Sequence, residues 1–148
     1  MELQCVVFEL ETESYGVDIT AIESIIKMQE ITKLPHAPAF MEGITNLRGA
    51  IVPVLDLRKR FGMDKREPTR ETRIVIANMR GTKVGLIVDA VSQVIRIPED
   101  AIEPPPQMSV TISSSFIKSV AKLENELIIL LDLDRVLNFE EREAVASY

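Results

Sequence analysis

The chain has 148 residues, 46% apolar and 27% charged, the balance of a water-soluble globular protein with material for one domain or two small subdomains sharing a core. A net charge of −6, two tyrosines, five phenylalanines and no tryptophan argue against a nucleic-acid partner, which asks for a basic face and stacking platforms. The lone cysteine, Cys5, rules out an internal disulfide, the start M-E-L-Q lacks signal-peptide features, and no apolar run nears the roughly 20 residues of a membrane span, so the expected location is the cytoplasm.

Residues 3–10 read as a strand, followed by a polar turn at 11–14 and a second short strand at 15–19 containing Gly16. Residues 20–27 fit either a helical face or a strand; a single helical turn leading into a short strand is the preferred reading. Pro35 and Pro38 make 34–39 an extended loop. The stretch G-I-T-N-L-R-G-A-I-V-P-V-L-D-L-R-K-R-F-G (43–62) then supplies a turn around Asn46 and Gly49 and a β-branched run broken by Pro53. A proline within that run predicts an edge strand or a bulge. Asp56 is placed to cap the turn 57–61, with Gly62 just past its end.

Charged residues 65–71, with Pro68, read as a junction. Strands follow at 73–78 and 84–88 around a turn at Gly81, and an apolar pattern over 91–97 ends at Pro98. Pro104, Pro105 and Pro106 predict a rigid extended segment, and 107–115 a loop. Strands at 116–120 and 127–131 lead to Asp132, which can cap a short helix ending near Asn138, and 140–146 read as a final helix.

The second half repeats the first. L-R-G-A-I-V-P-V-L-D-L-R aligns with L-E-N-E-L-I-I-L-L-D-L-D, setting Asp56 on Asp132; Y-G-V-D-I-T-A-I aligns with V-G-L-I-V-D-A-V, setting Gly16 on Gly85 and Ile22 on Val91. Short strands and tight turns in two copies predict an all-β fold of two small five-stranded barrels on a shared hydrophobic interface. The expected subdomains are 14–70 and 71–138, with strand 3–10 pairing with either and a helical tail at 139–148. What both copies share, including the caps Asp56 and Asp132, reads as scaffold. Arg48 and Gly49, replaced by Glu124 and Asn125 in the second copy, read as the better candidates for function.

Chemistry is sparse. The single histidine, His36, lies in a proline-flanked loop, and one Cys and one His give no metal cluster, so no metal or cofactor is expected. Asp132 and Asp134 read as a cap and its neighbour rather than a metal pair. No phosphate-cradling or nucleophile-elbow motif occurs, and Ser113, Ser114 and Ser115 lack a base partner, so catalytic residues and enzyme activity are not expected. Binding remains. Arg58, Lys59, Arg60, Lys65 and Arg66 form a basic cluster that reads as a solvated face or as a dock for an acidic partner.

N-L-R-G-A-I-V-P-V-L-D-L-R-K-R-F-G (46–62) resembles the signature of CheW, the bacterial chemotaxis coupling family. Y-G-V-D-I (15–19), P-A-F-M-E-G-I-T (38–45), V-G-L-I-V-D-A-V-S-Q-V (84–94), I-E-P-P-P (102–106) and L-I-I-L-L-D-L-D-R-V-L (127–137) follow in order across nearly the whole chain. The resemblance implies two SH3-like barrels and a non-catalytic adaptor joining methyl-accepting chemoreceptors to the histidine kinase CheA, recruited to membrane-associated receptor arrays. It also implies barrel-to-barrel rings with the kinase regulatory domain and with other CheW copies. Receptor contact is implied for Ile22, Gly43 and Arg48, with Asn46 shaping the turn; the kinase-contacting residues are unknown, beyond the barrel ends of both halves. Ser24 stands where the family often has Glu, with Glu23 one place earlier and, in a strand, on the opposite face. Ala90 and Ser119 replace family glycines, and no receiver or kinase segment is expected after the second barrel. A CheW-like adaptor of a non-flagellar chemosensory pathway is the alternative circuit.

Overall fold

The continuous apolar runs C-V-V-F and I-V-I-A mark strands covered on both faces, and the fold explains why both faces need cover. The computed structural model describes residues 2–105, 116–137 and 139–146. Within them run strands β1 (Glu2–Leu10), β2 (Glu13–Asp18), β3 (Ile22–Lys27), β4 (Met41–Leu47), β5 (Ala50–Asp56), β6 (Arg73–Met79), β7 (Thr82–Val88), β8 (Ala90–Pro98), β9 (Ile102–Glu103), β10 (Ile117–Leu123) and β11 (Glu126–Leu131). Helices α1 (Leu57–Arg60) and α2 (Phe139–Ala146) follow β5 and β11, with 3-10 turns at Ile19–Ala21, Glu99–Ala101 and Leu133–Arg135. The ambiguous segment 20–27 therefore resolves as a helical turn feeding a strand. Pro106 and the loop expected at 107–115 lie outside the described residues, as does Asn138.

Two sheets form, in the orders β3-β6-β7-β5-β4 and β8-β1-β2-β11-β10-β9. The first draws on residues 22–88 and the second on the flanking segments, so the expected boundary between residues 70 and 71 separates neither. Each half instead lends its first hairpin to the other: β6-β7 completes the barrel of β3, β4 and β5, while β1-β2 completes the barrel of β8, β10 and β11. Strand 3–10 pairs with β2 and β8, in the second sheet.

The duplication holds to the residue. Val54 of β5 pairs in parallel with Gly85 of β7, and Leu130 of β11 pairs in parallel with Gly16 of β2. A Cβ on Gly85 would stand 2.8 Å from Ile74 Cγ2, and one on Gly16 2.9 Å from Leu130 Cδ2. Both glycines thus let side chains close over the barrel interior. In the second barrel that interior is Cys5, Val7, Ile97, Ala121, Ile128 and Leu130. Burial pushes the Cys5 thiol up to about 11, leaving it a small apolar filler where the first barrel has Ile74. The other faces of β1 and β6, through Phe8, Leu10, Val75 and Ala77, join Leu55, Leu57, Leu86, Leu131 and Val145 in a core common to both barrels. Phe61 links them, its ring centroid 4.3 Å from Phe116 and 5.8 Å from Tyr15.

Pro53 does not mark an edge. β5 is flanked by β4 and β7, and its pairing with β7 begins only at Val54, so the missing N–H leaves no gap in that ladder. The irregularity lies on β4, between Met41 and Gly43.

Candidate interaction site

Asn46, Leu47, Arg48 and Gly49 close the β4-β5 hairpin in two residues. Leu47 pairs with Ala50, Arg48 and Gly49 have φ of 52° and 87°, and the Asn46 side-chain oxygen accepts from the Gly49 N–H at 2.8 Å. This is the twist-matched hairpin turn in which both central residues have positive φ, and such positions favour Asn, Asp and Gly. Arg48 occupies the first against its own conformational preference, a cost of about 1 kcal/mol, and is exposed.

The other residues implied by resemblance do different things. Gly43 is buried, and a Cβ there would collide with the carbonyl oxygen of Thr32, which bridges to Ile44. It shapes the backbone and offers no side chain or open surface. Ile22, half-buried, starts β3 opposite Ala77 and packs against the common core. Ser24 is half-buried beside exposed Glu23, whose carboxylate meets Lys83 of β7, two strands away in the sheet, at 3.1 Å.

The basic cluster divides: Lys65 and Arg66 remain exposed, with Arg66 Nη1 3.5 Å from Asp89 Oδ2, while Arg58, Lys59 and Arg60 are engaged within the fold. Arg58, at the buried start of α1, forks onto Asp89 (Nε to Oδ1 2.7 Å, Nη2 to Oδ2 2.8 Å) and donates from Nη1 to Glu11 at 2.6 Å and to the Asp64 carbonyl at 2.8 Å. Asp89 lies between β7 and β8 and Glu11 between β1 and β2, so this guanidinium ties the barrels together. Burial acts to raise the Asp89 carboxyl, but the Arg58 fork and the Glu11 N–H hold it below the usual range; the fork likewise raises Arg58. Lys59 lies 2.8 Å from Glu42 Oε1, a contact without directed hydrogen-bond geometry. Arg60 donates to the Val136 carbonyl at 2.7 Å and to Glu141 at 3.1 Å, fastening α2. Sequence reading missed this because the carboxylates come from positions 31 and 47 residues away.

Asp56 accepts from the Arg58 N–H at 2.9 Å, and Asp132 from the Asp134 N–H at 3.0 Å, over a turn of 133–135 that is shorter than anticipated. Burial pushes the Asp56 carboxyl up. No group of three His, Cys or carboxylate side chains able to hold a metal lies among the described residues, nor does any helix there have the length and apolarity to cross a membrane.

Exposed large apolar side chains among the described residues are Ile25, Ile51, Val94 and Leu127. They form two pairs under the duplication, Ile25 matching Val94 and Ile51 matching Leu127. In the second barrel the adjacent Gln93 and Glu126 are hydrogen-bonded at 3.1 Å, which brings these two stretches together.

The model of the CheW-like domain matches residues 4–141. The chain belongs to the CheW family. It is 37% identical to chemotaxis protein CheW of Rhizobium meliloti over 95% of this chain and 91% of that protein, and 36% identical to that of Bacillus subtilis over 94% and 89%. The crystal structure of the scaffolding protein TtCheW from Thermoanaerobacter tengcongensis superposes with a TM-score of 0.87 at 45% identity, covering 95% and 96% of the two chains. That likeness fixes the two sheets as the SH3-like barrels of this scaffold family, and the chemotaxis role of the relatives favours chemotaxis over another circuit.

Proposed function

We propose that this CheW-family scaffold couples the cytoplasmic tips of methyl-accepting chemoreceptors to the regulatory domain of the histidine kinase CheA, without chemistry of its own, in the cytoplasm at membrane-associated arrays. The observation that carries the reading is the recurrence of exposed apolar residues at equivalent places on two barrels, Ile25 and Ile51 on the first matching Val94 and Leu127 on the second. A partner built from the same duplicated barrels meets such a surface pseudo-symmetrically, and each barrel leaves an apolar patch for a further module, which extends pairs into rings. Arg48, Asn46 and Ile22 serve the receptor side, with Gly43 holding the backbone beneath them. Transmission requires that the adaptor bind kinase-on and kinase-off assemblies with different affinity.

Reconstitution with CheA and receptor tips should raise or gate kinase autophosphorylation, and no complex with either would sink the proposal. Ile51→Asp and Leu127→Asp should each weaken assembly while leaving the unfolding midpoint unchanged; unimpaired assembly by both would remove the apolar pairs from the interface.

A further inference from the structure

The Arg48 turn has a twin. Asn78, Met79, Arg80 and Gly81 close the β6-β7 hairpin in the same way: Met79 pairs with Thr82, Arg80 and Gly81 have φ of 51° and 87°, and Asn78 accepts from the Gly81 N–H at 2.7 Å. The two Asn-X-Arg-Gly turns are not duplicates of each other, because under the internal repeat β4-β5 corresponds to β10-β11 and β6-β7 to β1-β2. At the corresponding turns the second barrel carries Glu124 and Glu11. Arginine thus stands twice, where the repeat has glutamate and the turn itself prefers Asn, Asp or Gly. Both arginines lie on one barrel and at one end of it, since the turns open directly into β5 and β7, parallel hydrogen-bonded neighbours. Both are exposed, and neither forms an ion pair or side-chain hydrogen bond among the described residues. On a chain of net charge −6 these are two unpaired positive charges at one end of a barrel.

We infer that Arg80 is a second contact residue beside Arg48, and that the two turns together grip an acidic protein helix. An acidic helix suits this barrel end by charge complementarity, because two exposed guanidinium groups with no carboxylate partner among the described residues favour a ligand that brings carboxylates of its own. A second copy of this chain is a poorer occupant, because one of the two glutamates its other barrel would offer, Glu11, is already held by Arg58 at 2.6 Å. The inference rests on the reading of Arg48 as a receptor contact and adds what that contact recognises.

The test titrates a purified receptor cytoplasmic hairpin against wild type, Arg48→Glu, Arg80→Glu and Arg80→Asn at low and high salt, with unfolding midpoints measured for each. Arg80→Glu should weaken binding about tenfold, the size expected of an interfacial arginine, and flatten its salt dependence. Arg80→Asn should weaken binding while holding or raising the midpoint, because asparagine suits the turn; a merely structural arginine would not give that split. Loss of binding with Arg48→Glu but not with either Arg80 variant overturns the inference and leaves the receptor reading standing. Unchanged binding in all variants overturns both. Self-association abolished by Arg80→Glu, with hairpin binding intact, would reassign the two arginines to contact between copies.

Discussion

The two barrels share one plan and differ at their ends, and the difference teaches caution about what a repeat reveals. Shared features include scaffold, such as Gly16 and Gly85 under their parallel neighbours, but also the exposed apolar residues Ile25 and Ile51, matched by Val94 and Leu127. Unshared features include the surface arginines Arg48 and Arg80, but also Arg58, whose counterpart is Asp134 and whose role is internal. Being common to both copies therefore does not mean scaffold, and being unique to one does not mean function. Burial and partners separate the cases.

The largest expected effect lies at the asymmetric Arg58. Arg58→Ala removes the cation shared by Asp89 and Glu11 and leaves Asp89, 15% exposed, without its fork. Losing one partner of such a buried pair costs about 3 kcal/mol or more, read as a drop in the chemical-unfolding midpoint. The pH dependence follows. Because the Asp89 carboxyl sits below its unfolded value, its contribution is present above about pH 4 and is lost as pH falls through the lower folded value. Asp89→Asn should be less stable than wild type at neutral pH and lose less on acidification. An identical acid limb would remove Asp89 as the linked group.

Next come the symmetric glycines. Gly16→Ala and Gly85→Ala each push a methyl group against a neighbour 2.9 Å or 2.8 Å away, an overpacking penalty of about 1–3 kcal/mol. Similar losses at the two sites, measured by thermal unfolding, would support equivalent barrels; a large disparity would show that one relaxes more readily.

Much of this was legible in the sequence. The alignment that set Asp56 on Asp132 and Gly16 on Gly85 reproduces the strand registers, because each repeat carries its own turns, glycine and cap, all local signals. The exchange of hairpins was not legible: β1 and β6 are apolar on both faces, and a continuous run does not say which sheet receives it. Pairing of the basic cluster was hidden for a related reason, since Asp89 and Glu11 reach Arg58 only through the exchanged strands. The twin of the Arg48 turn was visible as N-M-R-G, but an alignment of the two halves compares it with E-L-E-T and never with N-L-R-G.

The smallest effects compare the caps. Asp132, with one-third of its side chain exposed, caps in partial solvent, whereas Asp56 is 6% exposed. Asp132→Ala should cost about 1 kcal/mol, the usual worth of an N-cap. Asp56→Asn keeps an oxygen for the Arg58 N–H and removes a carboxylate that burial disfavours, so it should be close to neutral at pH 7. The sign at Asp56 is opposite to that at Asp89. Its folded carboxyl binds the proton more tightly than the unfolded one, so its contribution is fullest below the unfolded value and is lost as pH rises through the raised folded value. Asp56→Asn should therefore gain relative to wild type as pH rises from acid to neutral. A relative loss would mean that the ionised cap binds its turn more strongly than burial penalises it, and the two caps would then work alike despite their different depths.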